Sequence, residues 1–411
     1  MADIYTSIDL GTDSIKIVVC KKVNDKYHVL ASQSYPSSGI KDGFIVETKS
    51  AVNSIKTAIK KVNEKLGIPI TKVVACIPPF DCRMDIVSGV TSIIDYNEIT
   101  GLDISNCLQD AIKKYDFGDT ELVTAMPIHF IIDDEETVHD PKGLKGNKLS
   151  VKLVVSTTPK DRLYKILEVL KLSGLETVDI CYSTFGDYFC FKEKKYDDQV
   201  GAIINIGEES TNISIFNRGI QIKNGTISAG SKNVDKDLTY AFKSKLTESR
   251  NLKENFAVAL SSLADTKNTW DLTIDKTETK LVNQETVSKV VEARAREILK
   301  LAKNEIKNLT NREIHYIIIT GGLSELEGFS NLAEEVFGFV VKVKSIPIIG
   351  IRHNKYSSCY GVIKYFNDKL SLRGKDYNMF TNEEVESLLD LSSNSALDNL
   401  ASKVLNQTQD D

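Results

Sequence analysis

Two glycine turns about two hundred residues apart, each set between apolar β-branched runs, constrain this chain more than any other feature. The first is Ile8-Asp9-Leu10-Gly11-Thr12-Asp13-Ser14-Ile15-Lys16-Ile17, the second Ile203-Ile204-Asn205-Ile206-Gly207-Glu208-Glu209-Ser210-Thr211-Asn212-Ile213. Each reads as strand, tight turn, strand, with glycine where the backbone must bend or lie close to a ligand. One such turn makes a plain hairpin. Two that face one another make a cradle in which backbone N–H groups and hydroxyls can hold phosphates. A third element, Ile317-Ile318-Ile319-Thr320-Gly321-Gly322-Leu323-Ser324, is a buried strand ending in a glycine pair, suited to lie against a flat base or a sugar. Both halves open with a glycine hairpin, as a duplicated fold would.

The chain has 411 residues, 41% of them apolar, enough for two or more domains with their own cores. From Thr381 onward seven acids (Glu383, Glu384, Glu386, Asp390, Asp398, Asp410, Asp411) meet one base, Lys403; this puts -6 on the tail and leaves about +1 for the rest of a chain whose net charge is -5. A body near neutrality has no basic surplus for nucleic acid. Seven cysteines without a Cys-x-x-Cys pair read as reduced, buried thiols rather than disulfides or zinc ligands, and five scattered histidines offer no metal cluster. The first residues run straight into a strand and no apolar stretch is long enough to span a bilayer, so neither a signal peptide nor a membrane span is expected.

Strands and helices alternate through most of the sequence, the pattern of α/β layers. Val52, Ile55, Ile59, Val62 and Leu66 recur at helical spacing, Gly67 stops that helix, and Val73 to Ile77 reads as a strand. Residues 81–159 change character, with short strands around one helix, Asp103 to Lys114, as in a small α+β insertion. Helical patterns resume at Arg162 to Leu172 and Tyr182 to Phe191. After the second hairpin comes a mostly helical block, its best helices at Val234 to Leu246 and Gln284 to Lys307, joined by a connector, Asp265 to Thr279, with short strands. A helix from Ser357 to Phe366 precedes the acidic tail.

Four stretches carry a more specific signal. Glu98-Ile99-Thr100-Gly101-Leu102-Asp103-Ile104 is similar to a Glu-Ile-Thr-x-x-Asp-Ile motif, and Pro127-Ile128-His129-Phe130-Ile131-Ile132-Asp133 to Pro-x-x-Tyr-x-x-Asp. Asp140-Pro141-Lys142-Gly143-Leu144-Lys145-Gly146-Asn147-Lys148-Leu149 resembles Asp-Pro-x-Gly-Met-x-Gly-x-x-Leu, and Gly39-Ile40-Lys41-Asp42-Gly43-Phe44-Ile45-Val46 resembles Gly-Ile-x-x-Gly-x-Ile-x-Asp. These are motifs of the FtsA family within the actin-like ATPase superfamily, and the resemblance runs from about Ile4 to Phe366. It implies an actin-like (ribonuclease H-like) two-domain α/β fold with an inserted α+β subdomain of SHS2 type. Subdomain 1A would comprise 1–80, 160–195 and 352–370, subdomain 1C 81–159, subdomain 2A 196–230 and 301–351, and subdomain 2B 231–300, with 371–411 a flexible acidic tail. It implies ATP and Mg²⁺ as cofactors and the work of a cell-division adaptor at the inner face of the membrane. Such an adaptor tethers the FtsZ ring through that protein's C-terminal tail, self-associates into filaments, and meets other divisome proteins through subdomain 1C.

Carried onto these residues, the resemblance makes Asp9 the carboxylate that holds Mg²⁺ through water, an ion that keeps several of its waters. Gly11, Thr12, Asp13 and Ser14 form the first phosphate turn, and Lys16, on the strand face of Ser14, points at the phosphates or at solvent. Asn205, Gly207, Glu208, Glu209, Ser210 and Thr211 form the second turn, with Gly230 beyond it. Gly321, Gly322 and Ser324 stand on the adenosine side, where Lys253 and Arg294 either reach base or ribose or are surface charges. No catalytic residue is assigned. The second turn departs from the family's Asp-x-Gly-Gly-Gly-Thr-Thr: Asn205 lacks a charge, and Glu208 and Glu209 replace glycines where phosphates approach, so they would crowd and repel them unless turned away. Hydrolysis is expected to be absent or very slow and nucleotide binding weakened. Asp235 is expected to cap a helix.

The tail departs too. Leu397, Leu400, Ala401, Val404 and Leu405 form an apolar stripe with acidic flanks, unlike the basic, aromatic membrane helix of the family. A truncated chain, or a tail that docks on a partner, is expected rather than direct membrane anchoring. Two alternatives share the fold: a PilM-like scaffold of pilus assembly, and an ATP-dependent sugar-kinase-type enzyme, for which no catalytic base is evident and to which the insertion is foreign.

Overall fold

The structure, a computed structural model, describes residues 3–95, 98–274 and 278–388. The apolar runs around Gly11 form β1 (Asp3–Leu10) and β2 (Ser14–Val23), and a turn through Asn24 and Asp25 leads to β3 (Lys26–Pro36). A two-residue ladder, β4 (Ile40–Lys41) and β5 (Phe44–Ile45), precedes α1 (Thr48–Leu66), which buries Ala51, Ile55, Ala58, Ile59 and Val62 and ends at Gly67 in the left-handed conformation. β6 (Lys72–Ile77) then lies parallel to β1.

The insertion follows as a layer with its own core: β7 (Arg83–Ser92), α2 (Gly101–Lys113), β8 (Thr120–Ile132), β9 (Glu136–Val138) and β10 (Lys148–Pro159). Its strands are antiparallel in the order β7-β10-β8-β9. The Thr-x-x-Asp of its motif is a capping box: Thr100 accepts from the Asp103 N–H and Asp103 from the Thr100 N–H, at 2.9 Å, which fixes the start of α2.

The chain returns through α3 (Lys160–Leu172), β11 (Glu176–Tyr182) and α4 (Ser183–Phe191), completing a sheet of order β11-β6-β1-β2-β3. The second half repeats this plan. β12 (Val200–Ile206), β13 (Thr211–Asn217) and β14 (Ile220–Ile227) are antiparallel. A helical block follows: α5 (Ser231–Phe242), α6 (Leu246–Asn255), the ribbon of β15 (Thr269–Thr273) and β16 (Thr279–Asn283), and α7 (Gln284–Leu309). β17 (Tyr316–Thr320), α8 (Phe329–Phe337) and β18 (Val341–Val343) complete the order β14-β13-β12-β17-β18, with both late strands parallel. Three antiparallel strands and two parallel ones in each half give the duplicated α/β architecture that the resemblance implied.

α4 meets α9 (Ser357–Leu372) through glycine: a Cβ at Gly361 would lie 1.7 Å from the Gly186 carbonyl oxygen, so the two backbones cross in direct contact.

Three details differ from the sequence reading. The helix after the second hairpin ends at Phe242, and α6 is separate; its ten residues are too polar to show an apolar period. Asp235 caps nothing, because the N-cap of α5 is Gly230, whose N–H donates to Asn233 Oδ1 at 3.0 Å, and Asp235 is wholly buried one turn in. The stretch 371–388 is no loose tail: Met379, Phe380, Val385 and Leu388 join the first core, and the Ile4 N–H donates to Asn378 Oδ1 at 3.3 Å. The apolar stripe at Leu397 to Leu405 lies outside the described residues. Among those described, all seven cysteines are free thiols and no helix is long and apolar enough to cross a membrane.

Candidate functional site

The two glycine turns line one cavity of about 730 Å³, together with the end of β17 and the segment leading into α9. Asp9, Gly11, Thr12, Asp13, Ser14, Lys16, Asn205, Gly207, Glu208, Glu209, Ser210, Lys253, Gly321 and Gly322 all reach it. Thr211, Gly230, Ser324 and Arg294 do not. The Thr211 hydroxyl donates to the Ala229 carbonyl at 2.7 Å, and Ser324 donates to the Gly321 carbonyl at 2.7 Å. Gly230 packs behind the second turn, where a Cβ would sit 2.5 Å from the Glu208 carbonyl oxygen. Arg294 is held by Asp237 at 2.5 Å and Glu297 at 2.7 Å.

In the first hairpin, register places Asp9 opposite Lys16, and they form an ion pair of 3.0 Å. Burial pulls the Lys16 ammonium down, but Asp9 more than offsets it and holds the group above the usual lysine range. Lys16 therefore points neither to solvent nor freely into the groove. It folds over Gly11, where a Cβ would meet Nζ at 2.5 Å. The Thr12 hydroxyl accepts from the Gly43 N–H at 3.1 Å.

In the second hairpin, the Asn205 amide donates to Asp187 Oδ2 at 2.6 Å. Asp187, on α4, is wholly buried and also accepts from the Ser357 and Ser358 hydroxyls at 2.6 and 2.8 Å. Burial pushes its carboxyl up to about 6, against the pull of those three donors. The two glutamates do turn away, toward cations. Arg250, on α6, reaches Glu208, Asp13 Oδ1 at 2.7 Å and Asp235 Oδ2 at 3.4 Å. Glu209 pairs with Lys232 at 2.7 Å and accepts from the Asp42 N–H at 3.2 Å. Burial raises Glu208 above the ordinary carboxylate value even beside Arg250; for Glu209 the same effect is outweighed by Lys232 and the Asp42 N–H, which hold it low. The Ser231 and Lys232 N–H groups at the start of α5 donate to the Gly207 and Glu208 carbonyls, both at 2.9 Å, so the helix start anchors the hairpin. Lys253 lines the groove but pairs with buried Asp235 at 2.7 Å, and so cannot extend to base or ribose as expected.

Arg250, Lys232 and Asp187 were not singled out by the sequence reading. The available signal was an imbalance: Asp13, Glu208, Glu209 and Asp235 need cations, and Arg250 and Lys253 sit three apart on one helix.

The residues fit the two parts of a nucleotide unequally. Beside Gly322 there is open space, with nothing within 4 Å of where a Cβ would stand, so a flat base or sugar can lie on the backbone there. The lining carries six carboxylates against four lysines and arginines, an excess of two carboxylates. Asp9, the carboxylate expected to face the water shell of Mg²⁺, is already paired with Lys16. A metal-bound polyphosphate therefore fits poorly.

The sequence profile described as cell division protein FtsA matches residues 202–361, and that of the SHS2 domain inserted in FtsA matches residues 81–157. The chain is 26% identical over 385 residues to cell division protein FtsA of Bacillus subtilis, covering 93% of this chain and 88% of that protein. It is 27% identical over 356 residues to FtsA of Streptococcus pneumoniae, covering 86% and 78%. Among solved structures, the PilM–PilN type IV pilus biogenesis complex matches with TM-score 0.57 at 14% identity, covering 91% of this chain and 99% of that one. MreB5 of Spiroplasma citri bound to ADP matches with TM-score 0.54 at 12% identity, covering 90% and 98%. At these identities the solved structures establish the actin-like fold.

Proposed function

The chain belongs to the FtsA family of cell division proteins, and from that premise we propose that it is a division adaptor that recruits and tethers the FtsZ ring at the septum. The carrying observation is the FtsA-specific SHS2 insertion at 81–157 within an actin-like fold. In this reading the boundaries given above for subdomains 1A, 1C, 2A and 2B hold, and the groove between the glycine turns takes a nucleotide. Subdomain 1C meets other divisome proteins, copies of the chain assemble into filaments, and the adaptor works at the inner face of the membrane. Hydrolysis is absent or very slow, because the Asn205 amide is uncharged and already bonded to Asp187. Steady ATP turnover of about 1 s⁻¹ would refute that part.

The helical block at 231–300 is the proposed seat of the FtsZ C-terminal tail. Tyr240 is 89% exposed on α5 and Leu281 is 63% exposed on β16, so both can be replaced there without opening the core. The test is fluorescence anisotropy with an FtsZ C-terminal peptide from the same source. Micromolar binding, weakened at least tenfold by Tyr240→Ala with Leu281→Ala, supports the adaptor. No binding by folded protein would leave the actin-like fold and favour a pilus-type scaffold.

A further inference from the structure

We infer that the groove selects a nucleoside or a nucleoside monophosphate over a polyphosphate, because the ion-pair clasp Asp13–Arg250–Glu208 closes the gap between the two glycine turns. This inference rests on reading the groove as a nucleotide site.

The clasp joins three separate elements: Asp13 in the first turn, Glu208 in the second and Arg250 on α6. It therefore ties one half of the molecule to the other across the mouth of the groove. Arg250 has no further reach to offer, since its Nε is also directed at Asp235, which is wholly buried. A polyphosphate lying between the turns must take the guanidinium from its carboxylates. That leaves Asp13 and Glu208 without their shared cation, and Asp235 with Lys253 alone, beside several new negative charges in a groove whose lining is already acidic. The second cation of this turn is equally committed, because Lys232 holds Glu209. Nor are the nearest helix-start donors available to phosphate oxygens: the Ser231 and Lys232 N–H groups bond the Gly207 and Glu208 carbonyls. A nucleoside meets none of this opposition. It needs a flat, open backbone surface, which Gly322 supplies, and polar groups at the wall, where Asn354 and Lys355 stand. A single phosphate carries less charge than a chain of them and can stop short of the clasp.

The experiment is calorimetric titration of the full chain with adenosine, AMP, ADP and ATP, each with Mg²⁺, repeated on Glu208→Gln and Asp13→Asn. The expected order is adenosine and AMP comparable, ADP weaker, and ATP at least tenfold weaker than adenosine. Each substitution removes one carboxylate from the clasp and should raise the ratio of ATP to adenosine affinity about tenfold, or about 1.4 kcal/mol. Tighter binding of ATP than adenosine to the unaltered chain overturns the inference while leaving the nucleotide groove intact. An unchanged ratio in both variants overturns the clasp as its cause. Failure of all four ligands to bind overturns the reading of the groove itself.

Discussion

The two glycine hairpins occupy equivalent places in two sheets of the same strand order, yet they balance their charges differently. In the first, Asp9 and Lys16 face one another across the ladder and neutralise each other within the hairpin. In the second, the facing residues are Asn205 and Asn212, and the charge lies elsewhere. A carboxylate stands beside it instead, Asp187 on α4, and its turn carries two glutamates held by Lys232 and Arg250 from the helices that follow. The facing pair of the first hairpin is thus self-contained, with only the turn residue Asp13 reaching out to Arg250, whereas the second hairpin makes sense only with three other elements packed around it. A departure from a family pattern that looks like simple loss in the sequence is, in space, an exchange of charges among neighbours.

The sharpest way to break this comparison is to give the second hairpin back an aspartate. Asn205→Asp would put a carboxylate oxygen where an N–H now donates at 2.6 Å to buried Asp187. A carboxylate at this half-buried position and the wholly buried Asp187 cannot both ionise at that distance. The expected loss is about 3–5 kcal/mol in urea unfolding at neutral pH, with much of it recovered when Asp187→Asn is added. Full stability in the single variant would mean that Asn205 and Asp187 are not an exchanged pair.

Asp187 alone gives the next effect. Its folded-state pKa is raised from 3.8 to about 6, so the stability that comes from binding its proton is complete below 3.8 and is lost as pH rises through about 6. A shift of that size corresponds to about 3 kcal/mol. The side chains facing the carboxyl are Asn205, Ser357 and Ser358, with Asp9 near enough to raise it further and Cys190 also within its field. Urea midpoints measured at both ends of that window should fall with rising pH more steeply in the unaltered chain than in Asp187→Asn. Parallel slopes would show that the carboxyl ionises as freely as in the unfolded chain.

The hairpins, their strands and the insertion were legible because each is local: β-branched runs around glycine, or a Thr-x-x-Asp box that caps its own helix. The groove's membership followed from the same turns. What could not be read was pairing at a distance. Arg250 lies 237 residues from Asp13 and 42 from Glu208 in the chain, on a helix with no apolar period to announce it. Asp187 sits in an otherwise aromatic, core-like helix, where its wholly buried carboxylate is explained only by the Asn205 amide and the serines of α9. Lys253 and Arg294 were read as ligand contacts because a sequence shows a cation but not the carboxylate that holds it. Likewise Met379 to Leu388 looked like tail because Glu383, Glu384 and Glu386 open the acidic run there, although Met379, Phe380, Val385 and Leu388 suffice to dock the segment.

The first hairpin can be tested by the opposite operation, removal of its internal cation. Lys16→Met leaves Asp9, whose side chain is 18% exposed, without its partner. The expected cost is about 2 kcal/mol at neutral pH, read as a lower urea midpoint. The loss should shrink when Asp9→Asn is added, because nothing charged then remains unpaired. A Lys16→Met chain as stable as the original would show that Asp9 is well hydrated, and the contrast with the second hairpin would weaken accordingly.

The smallest effect should come from Glu209 and Lys232, and it decides whether the second hairpin's charges act as one network or as separate pairs. Lys232 is 30% exposed and Glu209 15%, so water screens their attraction more than it screens Asp9 and Lys16, at 18% and 14%. A double-mutant cycle with Glu209→Gln and Lys232→Met should return a coupling of about 0.5–1 kcal/mol. Repeating it in Arg250→Met is the informative step. The Arg250 guanidinium is tied to Glu208 in the same turn, while Glu209 also takes the Asp42 N–H from the first half of the molecule. If the turn is held as a unit, loss of Arg250 lets it move and the Glu209–Lys232 coupling falls toward zero. If the coupling is unchanged, the two glutamates are held independently, and each helix corrects its own charge in the hairpin.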